Sequence, residues 1–287
     1  MEIACAAIVQ AVPIILAALG GVVSERAGVV NFALEGMMLS GAFAAVWASY
    51  VTQNPWLGLA AALAAGVALA ACHAAASLWL KVNQVVSSLA MNLLALGLTG
   101  ALLWRVFGMG TSPNVAGLPA FAAFGRSWNV LVVPAFLLAP AVWALLRYTV
   151  PGLWVRAAGE DADAARAAGV NVTAVKFAAV LVSGALAGAA GACISIGTLT
   201  SFTAGMTGGR GYMAVAAVIF GKWQPLGAAA AALLFGAFVA AGEVFAANAA
   251  LPEEVYLIAP YVLTLLALAA FIGKSEPPRA LGKLPSR

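Results

Sequence analysis

From Ile3 to Val23 the chain runs the thickness of a bilayer without a charged side chain, and apolar runs of similar length recur at about 30–51, 57–80, 86–107, 128–147, 174–198, 225–247 and 255–273. No other feature constrains the fold as strongly. About 20 helical residues cross the roughly 30 Å hydrocarbon layer, and every backbone N–H and C=O must be satisfied on the way. The runs are continuous rather than alternating, so the sequence predicts an all-α, polytopic integral membrane helical bundle of about eight (eight to ten) transmembrane helices. It reads as a single transmembrane domain over 1–287. A shorter run, 212–221, cannot cross alone. It crosses only when extended through the Gly-rich stretch before it, or as one half of a broken or re-entrant helix. The first run has no basic leader and no cleavage site, so it reads as a retained span rather than a signal peptide.

Charge is scarce, at 8% of residues, and its placement predicts orientation. With the N-terminus outside and the C-terminus cytoplasmic, 11 of the 14 basic residues fall inside, and only Arg105, Arg126 and Arg210 fall outside. The 148–175 loop and the 274–287 tail are then cytoplasmic. This bias also accounts for the net charge of +4, and it removes the case for a nucleic-acid partner. The external loop from Gly108 to Ser127, with Pro113 and Pro119, suits a cap over the outer mouth of a pore, and Glu253–Glu254 reads as a solvated turn.

Cys5, Cys72 and Cys193 stand alone in apolar runs and read as small packing residues, and His73 reads as a buried, hydrogen-bonded histidine. No metal-ligand spacing, nucleophile–base pair or GxxxxGK[ST] phosphate loop occurs, so no cofactor is expected, and any ATP must be bound by another subunit.

Polar residues inside the runs are therefore the candidates for function. SERAGVVNFALEGM, Ser24 to Met37, holds Glu25, Arg26, Asn31 and Glu35. Ser24 reads as a helix cap with Glu25 in the first turn. Asn31 and Glu35, four apart, are predicted to share a helix face with Met38 and Ala42. A carboxylate at bilayer depth costs roughly 2.5–3.5 kcal/mol on insertion scales unless it faces the bundle interior or water. Glu35 therefore either pairs with an arginine such as Arg26 or Arg210, or lines a pore. Gly205, Gly208, Gly209 and Gly211 lie around Arg210 and before Tyr212, a density that breaks a helix, with an aqueous linker as the alternative. Ser88 and Asn92 share a face suited to interhelical hydrogen bonds or pore lining, and Glu243 reads as an entrance residue or an interfacial one. Gly184, Gly188 and Gly191 predict close helix packing.

In GEDADAARAAGVNV, Gly159 to Val172, acids precede a run of alanines that stops at a glycine, predicting a surface helix of about Asp161 to Ala168. Composition alone leaves it as either a solvated connector or a docking element. The pattern Glu160, Ala164–Ala165, Ala168–Gly169 resembles the cytoplasmic coupling loop of ABC transporter permeases. GGVVSERAGVVNFALEGMML (Gly20–Leu39) and GGRGYMAVAAVIFGKWQPLG (Gly208–Gly227) look like two signatures of the simple-sugar and nucleoside branch of that family, related to the branched-chain amino-acid and ribose permeases.

The resemblance implies a transport subunit, not an enzyme, of an ATP-driven importer in a bacterial plasma membrane. Its small-molecule substrate would be a nucleoside or simple sugar. Its partners would be an ABC ATPase subunit, a second permease subunit, identical or homologous, and a substrate-binding lipoprotein or periplasmic protein, all within membrane lipid. Gly159, Glu160, Asp161, Ala164, Ala165, Ala168 and Gly169 would couple it to the ATPase. Arg26, Asn31, Glu35, Ser88, Asn92, Arg210, Tyr212 and Glu243 would line the path or join helices. A branched-chain amino-acid permease and an ion-coupled secondary transporter are the alternatives.

Overall fold

A helix that is apolar all round has to be surrounded by others, and α1 (Glu2–Arg26) is buried at every residue from Ala11 to Glu25. After it come α2 (Leu34–Thr52), α3 (Pro55–Ala74) and α4 (Gln84–Phe107). A short hairpin, β1 (Ala120–Ala123) and β2 (Arg126–Asn129), leads into α5 (Val132–Tyr148), α6 (Val150–Glu160) and α7 (Ala162–Ala167). The remaining helices are α8 (Val172–Ile194), α9 (Arg210–Phe220) and α10 (Pro225–Ala247). This computed structural model describes residues 2–123, 126–247, 262 and 276–283. The expected span at 255–273 and the Glu253–Glu254 turn lie outside the described residues, and so does the side chain of Glu243.

Among the described residues six helices are long and apolar enough to cross a membrane, or seven if α5 and α6, bent by 76° at their junction, count as one. The expected helical bundle is therefore present, with the hairpin as its small departure from all-α. Outward faces of α4 and α5 carry Leu93, Trp104 and Leu137, the surface a bilayer would cover. Arg26, Lys81, Arg147, Lys176 and Lys222 gather at one end of the bundle, here called the basic end. There Trp79 stacks on Phe177, and the Arg26 Nε donates to the Trp223 carbonyl at 2.7 Å.

Backbone approaches backbone closely between α3 and α8, which run antiparallel. A β-carbon on Gly66 or Gly184 would overlap the backbone carbonyl of the other, and one on Gly188 would overlap that of Ala62. Gly191 makes the same approach to α2 at the Met38 carbonyl. Close backbone contact replaces hydrophobic burial as the source of association where lipid is the solvent. Both helices end in a five-residue π-helical turn, Ala75–Trp79 and Ser195–Leu199. The 108–118 loop lies along the second turn, where Leu118 N–H donates to the Ile196 carbonyl and Val115 N–H to that of Thr200, both at 2.8 Å.

Three local expectations are corrected. Ser24 to Arg26 form the last turn of α1 rather than the start of the next helix. The Ser24 hydroxyl donates to the Val29 carbonyl, and buried Glu25 accepts 2.5 Å from the Trp223 indole. The second helix begins at Leu34 and not near 30, because Gly28 turns the chain at φ 89° and the Asn31 Oδ1 takes the Ala33 N–H, an Asx turn that competes with helix. Asn31 and Glu35 therefore do not share a helix face. The 148–175 loop holds two helices rather than one. Thr149 caps α6 and Pro151 occupies its first turn, a start signal adjoining α5.

Candidate functional site

Residues 28–33 and 200–209 run through the bundle as irregular chain with only isolated turn bonds of their own, such as Gly28 N–H to the Glu25 carbonyl and Gly208 N–H to that of Gly205. Irregular backbone at bilayer depth is tolerated only where protein or a water-filled cavity satisfies it, so each segment demands partners. The structure supplies them from side chains.

For the first segment the partners sit on one face of α4. The Val30 N–H donates to the Gln84 Oε1 at 2.7 Å, the Phe32 N–H to the Ser88 hydroxyl at 3.2 Å, and the Asn92 amide to the Phe32 carbonyl at 2.8 Å. The Asn92 Oδ1 also takes the Gly36 N–H, in the first turn of α2, at 2.8 Å. Positions 84, 88 and 92 are one helical turn apart, so a polar stripe runs parallel to the extended chain. Buried His73 adds a contact from α3, with one ring nitrogen 3.1 Å from the Val30 carbonyl and the other 3.0 Å from the Ser87 hydroxyl. The Asn31 amide reaches Ser183 on α8 at 2.9 Å.

Removing the Gln84 acceptor orphans the partly buried Val30 N–H, at a cost of up to about 1–3 kcal/mol. Gln84→Leu is therefore expected to lower the unfolding temperature in detergent by several degrees. Leu80→Gln, a polarity change of opposite sign on an exposed neighbour, is expected to change it little, and equal melting of Gln84→Leu and wild type would refute the pairing.

The second segment is held by Glu35. One carboxylate oxygen accepts from the Thr207 hydroxyl at 2.6 Å and the Gly209 N–H at 2.9 Å, and the other accepts from the Gly211 N–H at 2.7 Å. Gly209, at φ 78°, is the residue before α9 and has no side chain to cap it. The first N–H groups of any helix are orphans, and its dipole presents positive charge there. A carboxylate from the first turn of α2 serves as the cap of α9. Gly211 is required by the approach, since a β-carbon there would overlap the Glu35 backbone.

α9 has 11 residues, about 16 Å at 1.5 Å each, and ends beside Trp223 at the basic end. That length is about half of what crosses a roughly 30 Å hydrocarbon layer. The 212–221 run is thus a short apolar helix, Arg210–Phe220, preceded by the glycine-rich chain.

Of the residues singled out from sequence, Glu35, Asn92, Arg210 and Tyr212 come together here. The Asn92 amide bonds the Tyr212 hydroxyl at 3.1 Å, and Tyr212 is 46% exposed beside exposed Thr203, Ala204, Gly205 and Gly208. Neither arginine pairs with Glu35. Arg26 is committed to Trp223, and Arg210 donates to Gln10 Oε1 at 3.0 Å and to the Thr207 carbonyl at 3.4 Å. Ser88 and Asn31 serve the first segment. Gln84 and His73 were missed as partners of this chain, although continuing the Ser88–Asn92 spacing back one turn reaches Gln84.

At the basic end, α6 presses on α1 so closely that a β-carbon on Gly159 would overlap the Arg26 carbonyl. Ala280 of the tail donates to the Gly159 carbonyl at 2.8 Å. Glu160 closes α6, and Asp161 caps α7 by accepting from the N–H groups of Asp163 and Ala164. Val170 N–H bonds the Ala165 carbonyl and Gly169, at φ 84°, ends the helix, a left-handed C-terminal cap. Ala164, Ala167, Ala168 and Gly169 are exposed. Ala165 is not: it packs with Ala158 and Val172 under the helix, where a partner cannot reach it.

Residues 3–268 match the family model described as "Branched-chain amino acid transport system / permease component". The chain is 37% identical to the guanosine ABC transporter permease protein NupQ of Bacillus subtilis, over 96% of this chain and 94% of that one. It is 34% identical to the nucleoside ABC transporter permease protein NupC of Lactococcus lactis, over 96% and 93%. With the putative glucose ABC transporter permease protein TsgC13 of Haloferax volcanii it shares 39% identity over 80% and 74%. Among solved structures, an inward-facing putative metal-chelate type ABC transporter covers 92% of this chain and 85% of its own, with a TM-score of 0.51 and 17% identity, a likeness of fold.

Proposed function

The chain belongs to the family of branched-chain amino acid transport system permease components, and on that premise we propose that it is the membrane subunit of an ATP-driven importer of nucleosides. The observation that carries the reading is the Glu35-capped short helix α9, with exposed irregular backbone before it and the Tyr212 ring exposed; in this reading they lie at mid-bilayer. Such backbone suits a water-filled path, and a phenol ring with a hydrogen-bonding rim suits a solute with an aromatic base and polar edges. The nucleoside class draws on the two relatives that match 96% of the chain, both of which carry nucleoside or guanosine permease names.

In this reading the basic end faces the cytoplasm, as the bias of Lys and Arg favours. The exposed Ala164, Ala167 and Ala168 of α7 dock an ABC ATPase, a second permease subunit completes the path, and an external binding protein delivers solute. The chain supplies no ATP site of its own.

The test is uptake of labelled guanosine by host cells, alongside co-purification of an ATPase with the tagged chain. Deleting the chain is expected to abolish guanosine uptake while sparing leucine uptake. Ala164→Arg with Ala168→Arg, on the exposed face, is expected to lose both uptake and the ATPase while the chain still melts as wild type. Undiminished guanosine uptake in the deletion would sink the nucleoside reading, and an ATPase retained by the arginine pair would remove α7 as its dock.

A further inference from the structure

Beside the α5–α6 corner, Arg26, Arg147 and Arg156 converge on one cavity of about 310 Å³, lined also by Trp143 and Trp223. No carboxylate lines it among the described residues. Glu25 is turned to the Trp223 indole, and Glu160, the nearest other acid, follows Arg156 by one turn of α6 and acts on Arg26 electrostatically. Three guanidinium groups against two acids leave the corner positive. The Arg156 Nε is buried and has no hydrogen-bond partner. The Arg147 guanidinium lies over the rings of Trp143 and Tyr148, 5.5 and 5.8 Å from their centroids, which fixes its position but uses none of its N–H groups in an ion pair. Burying a guanidinium donor without an acceptor is costly, and guanidinium geometry matches a phosphate.

We propose that this cavity binds the phosphate of an anionic phospholipid headgroup. Its volume of about 310 Å³, equal to about ten waters at roughly 30 Å³ each, is enough for a phosphodiester with its glycerol. Its place argues for lipid over free phosphate. Tryptophans mark the headgroup level of a membrane, and two line the cavity. The adjoining corner exposes Tyr148, Val150, Leu153 and Trp154, an apolar surface along which acyl chains can run from a headgroup held by the arginines. Basic pockets between helices at a membrane boundary are a recurrent headgroup site. The lipid would fasten α6, and with it the docking loop, to the ends of α1 and α5. The site does not depend on which solute the permease carries.

The full-length chain, reconstituted in nanodiscs of mixed phosphatidylglycerol and phosphatidylcholine and released for native mass spectrometry, tests this. Wild type is expected to retain phosphatidylglycerol in preference to phosphatidylcholine, and Arg147→Gln with Arg156→Gln to reduce that retention ~10-fold or more, at about 1 kcal/mol for each cation near the headgroup. Lys81→Gln with Arg166→Gln, the same charge change away from the cavity, is expected to leave retention unchanged. Arg156→Lys keeps the charge but not the planar donor set and is expected to weaken retention severalfold, which decides the matter should the double Gln variant fail to fold.

Equal retention of both lipids by wild type would overturn the proposal, and so would retention untouched by the variants. Displacement by millimolar inorganic phosphate would assign the cavity to a free anion instead. Loss of a co-purifying ATPase with lipid retention intact would assign it to an acidic protein partner.

Discussion

Glu35→Leu is expected to give a chain that inserts in the membrane but neither transports nor survives mild heating in detergent. The substitution removes the acceptor of three donors at once, the Thr207 hydroxyl and the N–H groups of Gly209 and Gly211. Each donor left unpaired in a low-dielectric setting costs about 1–3 kcal/mol, so the sum is a large part of a typical fold's ~5–15 kcal/mol. The negative charge opposing the α9 dipole is lost as well. Glu35→Gln separates the terms. Its one carbonyl oxygen can still accept from Thr207 and Gly209, but its NH₂ group would face the Gly211 N–H, donor against donor. An intermediate loss of melting temperature is expected, with uptake reduced rather than abolished. Thermal melts scored by gel filtration, run beside uptake assays, read both. A Glu35→Leu protein that melts with wild type would show that α9 does not depend on this cap.

The same residue shows how far sequence carried. Periodicity and length located the spans, because an apolar run in a bilayer has one solution, and the odd carboxylate in such a run pointed to a special site. What it bonds to was not legible. Glu35 is 172 residues from Thr207, and only the packing of α2 against α9 brings them together. Asn31 misled for a local reason, since i and i+4 spacing implies a shared face only once a helix exists, and its own Asx turn with Ala33 delays that helix to Leu34. The docking loop was legible in its second half, where acids, alanines and a glycine spell a short helix. That Ala165 points inward was not legible, because with alanines on every side composition carries no facing signal.

The proposed docking helix α7 and the Glu35 site are joined by short links. α6 rests on the end of α1 at Gly159. Arg26 and Glu25, in that last turn of α1, both hold Trp223, which follows α9. A displacement of α6 therefore meets the end of α9 through two residues, and the start of α9 is capped by Glu35. The second route is α8, which begins at Val172 with Asn171, three residues beyond the exposed Ala168, as its cap, and runs into the close backbone packing with α3 and α2.

That packing sets the other large effect. Gly188→Leu is expected to yield no folded protein. At this point α8 is held between two backbones: a β-carbon on Gly188 would overlap the Ala62 carbonyl of α3, and one on Gly41 of α2 would lie 2.6 Å from the Gly188 Cα. The obstacles are main-chain atoms of helices fixed elsewhere by Gly66 and Gly191, so no rotamer change relieves them. Gly188→Ala already requires α3 to move. Overpacking of a tight core costs about 1–3 kcal/mol, occasionally more, and Ala is placed in that range and Leu beyond it. Gly97, inside α4 with no atom within 4 Å of its would-be β-carbon, provides the comparison. Gly97→Leu makes the same chemical change in a helix interior, and on helix propensity should be neutral or stabilising by up to ~1 kcal/mol. Detergent-solubilised yield and melting temperature of the two Leu variants decide the question. If both behave alike, close backbone approach is not what holds α8, and the coupling route through it loses its physical basis. If only Gly188→Leu fails, α8, the helix after the proposed dock, is clamped without slack, so movement at α7 is expected to pass to α2 and α3 rather than be absorbed.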